Sequence, residues 1–494
     1  MFAIILNMSI ESKVTTCKVT TCKVTTCNKV EENFKKYLDH AKLEHKTYQY
    51  EGVQWIVNNE TKADPVCSVR GGFIADEMGL GKTIMLIGAM LCNFQERTLI
   101  VVPPVLVDQW FVQIRRTTGH RALIYHGNNK KFMDYEMLNN AKIVITTYGA
   151  VTMTKKQIQE GSTTTLLHKI DWSRIVFDEA HHLRNSNTTR YASVKMLNAQ
   201  IRWLVSGTPI QNTKKDFYSL CSLLRLPASF YTDSDNLRAL ARAFILKRTK
   251  KQVGLTMTDV NITNTIVEWS SKKEMELSRL IHSALSFTRV TLDKPDLSIH
   301  SVGHLALIQR AKQSCIYPRL LSRKMGNPLN GDAFEGRSKI DAVVQKMLER
   351  KDNGCGKLVF CHYREEIDTI AALLRAGGIE RVATFDGRTS KAKRFDILSD
   401  KNDVLILQIQ TGCEGLNLQE NYSEIYFVSP NWNPAVEDQA VARCHRFGQV
   451  KPVYVERFEM NSFNFGDVKN TRTLDNYVVD VQENKRLIAG EFID

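Results

Sequence analysis

Short apolar runs, each closed by glycine or polar residues, recur along the chain in two blocks. In the first, from Tyr48 to about Leu226, the runs are GGFIAD (71–76), RTLIVVP (97–103), AKIVITT (141–147), RIVFDEA (174–180) and RWLVSG (202–207). They are apolar at successive positions, not alternate ones. That is how parallel strands covered on both faces look, with functional loops at their C-terminal ends. A second block, about Ser338 to Arg457, repeats the pattern in KLVFCH (357–362), RVATFDG (381–387), DVLILQI (403–409) and EIYFVSP (424–430). Between the blocks, residues 230–325 read as mostly helical and basic, and MGNPLNGDAFEGR (325–337) as a turn-rich linker. The pattern predicts an α/β protein of two parallel-sheet lobes with a helical insertion at their junction.

The N-terminal segment follows neither rule. Residues 13–27 are three copies of KVTTC, a period of five that fits neither helix nor strand. A disordered leader is the reading favoured over a metal-binding tract. The expected organisation is a leader over 1–29, an N-terminal lobe over 30–228, insertion and linker over 229–337, a C-terminal lobe over 338–460 and a tail over 461–494.

Composition narrows the class. A chain of 494 residues, 43% apolar and 24% charged, reads as globular and long enough for two or three cores. Lys plus Arg exceed Asp plus Glu by 67 − 53 = 14, which suits either a polyanion partner or a solvated basic surface. Eleven cysteines without a C-x-x-C pair argue against a disulfide scaffold or a zinc module. No run approaches a membrane span, and the opening MFAIIL is too short for a signal-peptide core. An intracellular protein is expected.

Candidate chemistry begins at DEMGLGKT (76–83). The phosphate-loop pattern is G-x-x-x-x-G-K-S/T, and here Asp76 replaces the first glycine. Strand, loop and then the helix-like IMLIGAMLCNF supply the required context, since backbone N–H groups at a helix start face an anion. Lys82 is expected to neutralise β- and γ-phosphate charge, and Thr83 to ligate Mg²⁺. Further on, IVFDEAHH ends a strand in two carboxylates: Asp178 for the Mg²⁺ shell, Glu179 to polarise the attacking water. Alone, such a pair is usually a capping or solvated feature; behind a phosphate loop it reads as a hydrolase pair. In the second block, EDQAVARCHRFGQ spaces Gln439, Arg443 and Arg446 by four and three, one face of a helix. The two arginines can stabilise a phosphoryl transition state as arginine fingers, although a surface basic turn is the bland alternative.

These motifs together resemble the helicase-like ATPases of superfamily two, and among them the SNF-type double-stranded DNA translocases. The likeness spans about residues 45–460 and keeps the family's motif order. YQYEGVQWIVNNE resembles the leading glutamine motif, with Gln49 for adenine. ADEMGLGKT resembles the family's own phosphate loop, so Asp76, Glu77, Met78, Gly79, Leu80, Gly81, Lys82 and Thr83 are the implied nucleotide contacts. LIVVPPVLVDQW, IVITTYGAV and QTGCEGLNLQEN are similar to segments that touch DNA, which implies Pro103, Thr146, Thr147, Gly412 and Asn417. SGTPIQN (206–212) is similar to the coupling motif, implying Ser206 and Thr208 beside His181. FILKRTK (244–250) and HRFGQ are the most family-specific stretches.

The resemblance implies two RecA-like lobes, ATP and Mg²⁺ as cofactors, duplex DNA or nucleoprotein as partner, and work in the nucleus. Gly412-Cys413-Glu414-Gly415 departs from the usual adjacent glycines, which puts that DNA contact in doubt. Only Cys315 and Cys355 lie in the 250–357 region, too few for a RING insertion. Size and a repeat-bearing leader also resemble the global-transactivator-like proteins of baculoviruses. Two other functions stay open: a strand-separating helicase, distinguished by strand displacement, and a non-hydrolysing scaffold, expected to have lost Lys82, Glu179 or an arginine. His181 and His182 read as coupling and packing residues sooner than metal ligands. Trp432 suits DNA contact or lobe packing equally, and KRTKK (247–251) an import signal or the family segment.

Overall fold

The computed structural model describes residues 21–160, 165–207, 214–285, 302–322, 335–412, 416–463 and 472–493. The chain divides into two compact units, Met1–Thr256 with Glu491–Asp494, and Met257–Gly490.

The first unit carries strands β1 (Arg70–Ile74), β2 (Thr98–Val102), β3 (Leu123–Tyr125), β4 (Ile143–Thr147), β5 (Trp172–Asp178), β6 (Ala199–Val205) and β7 (Ile245–Leu246). They form one sheet in the order β3-β4-β2-β5-β6-β1-β7, and the paired strands run parallel. The apolar runs need cover on both sides, and they get it. Leu99 and Val101 pack into one layer with Phe73 and Leu204, while Ile100 and Val102 pack into the other with Ile74 and Trp203. On that second face lie helices α1 (Thr21–Ala41), α2 (Thr47–Thr61), α3 (Lys82–Cys92) and α4 (Val107–Thr118).

A buried ion pair pins α2 to the sheet. The Glu60 carboxylate accepts from Arg174 Nε at 2.7 Å and Nη2 at 2.5 Å, from Asn93 Nδ2 at 2.7 Å and from Trp203 Nε1 at 2.8 Å. Both charged side chains are almost wholly buried. Such a pair contributes less than a hydrophobic replacement can, but removing one partner strands the other's charge.

The second unit builds a six-stranded sheet from β8 (Val260–Val267), β9 (Gly356–Cys361), β10 (Val382–Phe385), β11 (Val404–Gln408), β12 (Tyr422–Phe427) and β13 (Val453–Met460). Its order is β10-β11-β9-β12-β13-β8, again with parallel pairing. Leu358 and Phe360 enter one core layer, Val359 and Cys361 the other.

Several boundaries differ from the sequence expectation. The residues read as a helical insertion supply two strands, β7 for the first sheet and β8 for the second. β8 is an edge strand with Ile262 and Ile266 exposed, so its alternating VNITNTIV lacks the continuous apolar signature. The helices at 272–282 and 302–316 belong to the second unit, where Ile308, Ala311, Cys315 and Ile316 join its core. The expected tail holds helix Leu474–Ile493, whose Leu474, Tyr477, Val478 and Val481 are buried in the same layer. Helix α1 begins at Thr21, within the stretch read as a leader, and its Val30, Phe34, Tyr37 and Leu38 are buried. Residues 1–20 lie outside the described residues.

Glu60→Ala is expected to destabilise the first unit by about 3–5 kcal/mol, because Arg174 is left charged and unpaired in the core. Urea unfolding followed by tryptophan fluorescence checks this; a loss under about 1 kcal/mol contradicts it.

Candidate nucleotide-binding site

The loop after β1 is shaped before any ligand is considered. Ala75 N–H donates to Leu246 O at 2.8 Å and Glu77 N–H to Arg248 O at 2.9 Å, so β7 and the segment after it fix the loop's start. The loop ends at Gly81, whose φ of 82° and ψ of 36° lie in the left-handed region. That turn makes Lys82 the first residue of α3 and Thr83 the second, at the helix end where free N–H groups attract anions. Lys82 Nζ donates to Asp76 O at 2.7 Å and to Glu77 O at 3.4 Å, which holds the ammonium over the loop. Met78 is half-buried, Gly79 exposed and Leu80 buried.

Gln49, on α2, donates from Nε2 to Leu80 O at 3.2 Å. A Cβ on Gly81 would stand 2.4 Å from that Nε2. The expected adenine residue therefore sits directly on the expected phosphate loop.

At the end of β5 the Asp178 carboxylate accepts from Trp110 Nε1 at 2.7 Å and from Glu179 N–H at 3.0 Å. The Tyr148 hydroxyl donates to Asp178 O at 2.6 Å. Burial first, and repulsion from Glu179 second, raise the Asp178 carboxyl to about 6, while Lys82 opposes the rise. Lys82 thus lies within electrostatic reach of Asp178. Glu179 occupies left-handed backbone, φ 50° and ψ 50°, a strained setting for a side chain with a Cβ. Its carboxylate lies 3.2 Å from His181 Nδ1. The His181 ring lies 4.6 Å from that of His182, which in turn faces Tyr148.

Among the described residues no group of three or more His, Cys, Asp or Glu gathers to hold a metal. Mg²⁺ bound with a nucleotide does not need one. One carboxylate, one hydroxyl, phosphate oxygens and water make its usual shell, and two carboxylates crowded at a desolvated strand end suit a cation. Asp178 and Thr83 fit that requirement.

Ser206 follows β6 and is buried, its N–H donating to Ile74 O at 3.1 Å. Thr208 lies outside the described residues. Gly207 between them abuts the phosphate loop: a Cβ there would meet Met78 Cγ at 3.1 Å and Lys82 Nζ at 3.6 Å. The expected DNA contacts of this unit stand at strand ends but face inward. Pro103 is buried, and Thr146 is buried with its hydroxyl donating to Tyr125 O at 2.8 Å. The Thr147 hydroxyl caps a short helix by accepting from Ala150 N–H at 3.3 Å. The Thr146 and Thr147 hydroxyls are thus engaged within the fold.

In the second unit the expected helical face is not continuous. The helix Pro434–Val441 contains Gln439 but ends before Arg443 and Arg446, which lie in tight turns. Beyond the helix the bonds span three residues, Arg443 N–H to Ala440 O at 3.1 Å and Cys444 N–H to Val441 O at 3.0 Å, and Cys444 is fully buried. Arg443 and Arg446 are nonetheless close: burial first, then the Arg443 charge, lowers the Arg446 pKa. Arg446 Nη1 donates to Asn417 Oδ1, which joins an expected arginine finger to an expected DNA residue. Gly412 ends the short helix Ile409–Gly412, and 413–415 lie outside the described residues. Trp432 packs against Tyr477 at 6.2 Å, in line with a packing role.

The chain matches the SNF2-related domain over residues 48–234 and the helicase conserved C-terminal domain over 338–448. The chain belongs to the SNF2-related, helicase-like family. The class is one of DNA-dependent ATPases. It is 27% identical to a probable global transactivator of Orgyia pseudotsugata multicapsid polyhedrosis virus, over 85% of this chain and 87% of that protein. It is 25% identical to the DNA repair protein RAD5B of Arabidopsis thaliana, over 86% of this chain but 46% of that one. It is also 25% identical to the ISWI chromatin-remodeling complex ATPase ISW2 of Saccharomyces cerevisiae, over 83% of this chain and 38% of that one. Apart from the viral relative, then, the chain spans less than half the length of these proteins. A solved structure, the Sulfolobus solfataricus SWI2/SNF2 ATPase core in complex with dsDNA, is similar at 23% identity and a TM-score of 0.38, over 85% of this chain and 89% of that one.

Sequence reasoning missed four residues in the first unit of this family member: Trp110, Tyr148, Gly207 and Arg248. Trp110 and Tyr148 sit in segments read for DNA contact, so their bonds to Asp178 had no local signal. Within KRTKK, Arg248 pairs with Asp76, and Lys250 N–H donates to Glu77 Oε2 at 2.8 Å.

Gly81→Ala should destabilise the first unit by about 1–3 kcal/mol through left-handed strain and abolish nucleotide binding by displacing Gln49. Thermal melting and fluorescent-nucleotide titration check both; unaltered binding contradicts the geometry.

Proposed function

We propose that this chain hydrolyses ATP·Mg²⁺ and couples the cycle to movement along double-stranded DNA, displacing or remodelling bound protein. The observation that carries the reading is the intact hydrolytic set of the first unit. Lys82 stands at the amino end of α3 over the loop, within electrostatic reach of Asp178, with Glu179 adjacent.

In this reading Gln49 recognises adenine, and the loop from Asp76 to Thr83 cradles the phosphates. Bound Mg²⁺ supplies charge neutralisation of the phosphates, with Thr83 and Asp178 holding it. Glu179 accepts the proton of the attacking water, and His181, whose Nδ1 lies 3.2 Å from its carboxylate, couples that state to Ser206 and Thr208. Arg443 and Arg446 supply positive charge to the transition state, and Gln439 a neutral amide hydrogen bond. Duplex DNA is held by its phosphates without base readout, through Pro103, backbone near Thr146 and Thr147, Gly412 and Asn417. The excess of 14 positive charges and the SNF2-related family support a DNA partner. A nuclear location goes with that substrate.

ATP turnover by the purified chain should rise strongly with duplex DNA, less with single strands, and vanish in Lys82→Ala. Glu179→Gln should still bind ATP yet lose turnover by about a hundredfold or more, the range for a general base. A triplex-displacement assay on duplex DNA should report movement without strand separation. Stimulation by single strands alone, with strand displacement, transfers the reading to a helicase. No turnover with any nucleic acid contradicts it.

A further inference from the structure

The phosphate loop of this chain lacks the first glycine of the general pattern and carries a carboxylate there. Asp76 is fully buried. A bare carboxylate inside a loop built to receive a triphosphate repels its own ligand, and burial magnifies the repulsion. The structure answers that charge from a distant point in the sequence. Arg248 Nε lies 3.1 Å from Asp76 Oδ1, and Arg248 Nη2 lies 2.5 Å from Asp76 Oδ2, a two-point guanidinium–carboxylate pair.

The same guanidinium also reaches the adenine side. Arg248 Nη1 donates to the Tyr48 carbonyl, and its guanidinium carbon lies 5.7 Å from the centre of the Tyr48 ring. Tyr48 immediately precedes Gln49. Room for the arginine is made by Gly52 on α2, where a Cβ would stand 2.8 Å from Arg248 Nη2. One side chain therefore contacts the loop and the glutamine segment together. It is set in the stretch that leads out of the first unit, and the Arg248 carbonyl itself accepts from Glu77 N–H.

We infer that Arg248 is a positioning residue of the nucleotide site, which neutralises the Asp76 carboxylate in place of the missing glycine and fixes the phosphate loop against the Gln49 segment. The inference rests on the ATP reading of that loop. Lysine cannot replace it fully, because an ammonium offers a point charge and not a planar fork.

The test is equilibrium binding of a fluorescent ATP analogue, with steady-state ATPase and thermal melting, on the full chain. Arg248→Gln should weaken nucleotide binding at least about tenfold, raising KM more than it lowers kcat, because an opposed charge has become an exposed repulsion. Arg248→Lys should recover part of the loss. Asp76→Asn, which leaves Arg248 unopposed, should shift affinity the other way, tighter by a few-fold. The double variant Asp76→Asn/Arg248→Gln should return to within about threefold of wild type, as expected when two residues act as one pair.

Arg248→Gln with wild-type affinity overturns the inference. So does Asp76→Asn weakening binding as much as Arg248→Gln, which is what a purely structural brace gives. If Arg248→Gln fails to fold, Asp76→Asn and the double variant still decide by sign. Wild type that binds no nucleotide overturns the ATP reading itself, and with it this inference; wild-type binding lost in Lys82→Ala but unaltered in Arg248→Gln overturns this inference alone.

Discussion

The left-handed turn at Gly81 is the constraint on which the first unit's chemistry depends. It ends a loop that hangs from a buried strand and starts a helix in one step. The helix dipole, the unfilled N–H groups and the Lys82 ammonium then converge on one volume. A residue with a Cβ fits neither the backbone angle nor the space beside Gln49. The loop, Gln49 and the helix are consequently one object, each holding the others in place.

Around that object the fold gathers charge at the C-terminal ends of parallel strands. Asp178 ends β5, Ser206 follows β6 and the phosphate loop follows β1, and these three strands are consecutive in the sheet. Parallel pairing puts all three ends on one edge, which is why residues a hundred positions apart can share a site. Burial first, and the adjacent Glu179 second, raise the Asp178 carboxyl there, and Lys82 opposes the rise. Trp110 and Tyr148 hold this carboxylate and its carbonyl still, so the strand end is preorganised and not merely acidic.

The second unit shows how much of a lobe can come from outside its apparent boundaries. Its edge strand β8 joins the sheet, and helices Lys272–His282, Val302–Ile316 and Leu474–Ile493 share one layer of its core with helices Ser338–Glu349 and Arg364–Ala376. They complete the cover of the face that carries Val359, Cys361 and Ile406, and a parallel sheet requires cover on both faces. The region between the blocks is thus divided: Leu240 and Phe244 join the first unit's core, and Ile308, Ala311, Cys315 and Ile316 the second's.

From the sequence alone, the two parallel sheets, the phosphate loop, the Asp178–Glu179 pair and the SNF-type resemblance were legible. Each is a local pattern: a continuous apolar run, a glycine-lysine-threonine step, a strand ending in carboxylates. What only the tertiary structure decided is what joins distant segments. β7 and β8 are short or half-exposed, and their pairing energy comes from neighbours, not from their own apolar runs. The helix ends before Arg443, where bonds spanning three residues begin, and the four-and-three spacing does not encode that end. Thr146 was legible as a residue at a strand end, but whether its hydroxyl faces solvent or Tyr125 depends on the adjacent strand. The pairing of Asp76 with Arg248 lies beyond any local pattern, because a buried charge is matched by whatever the fold brings to it, at any separation along the chain.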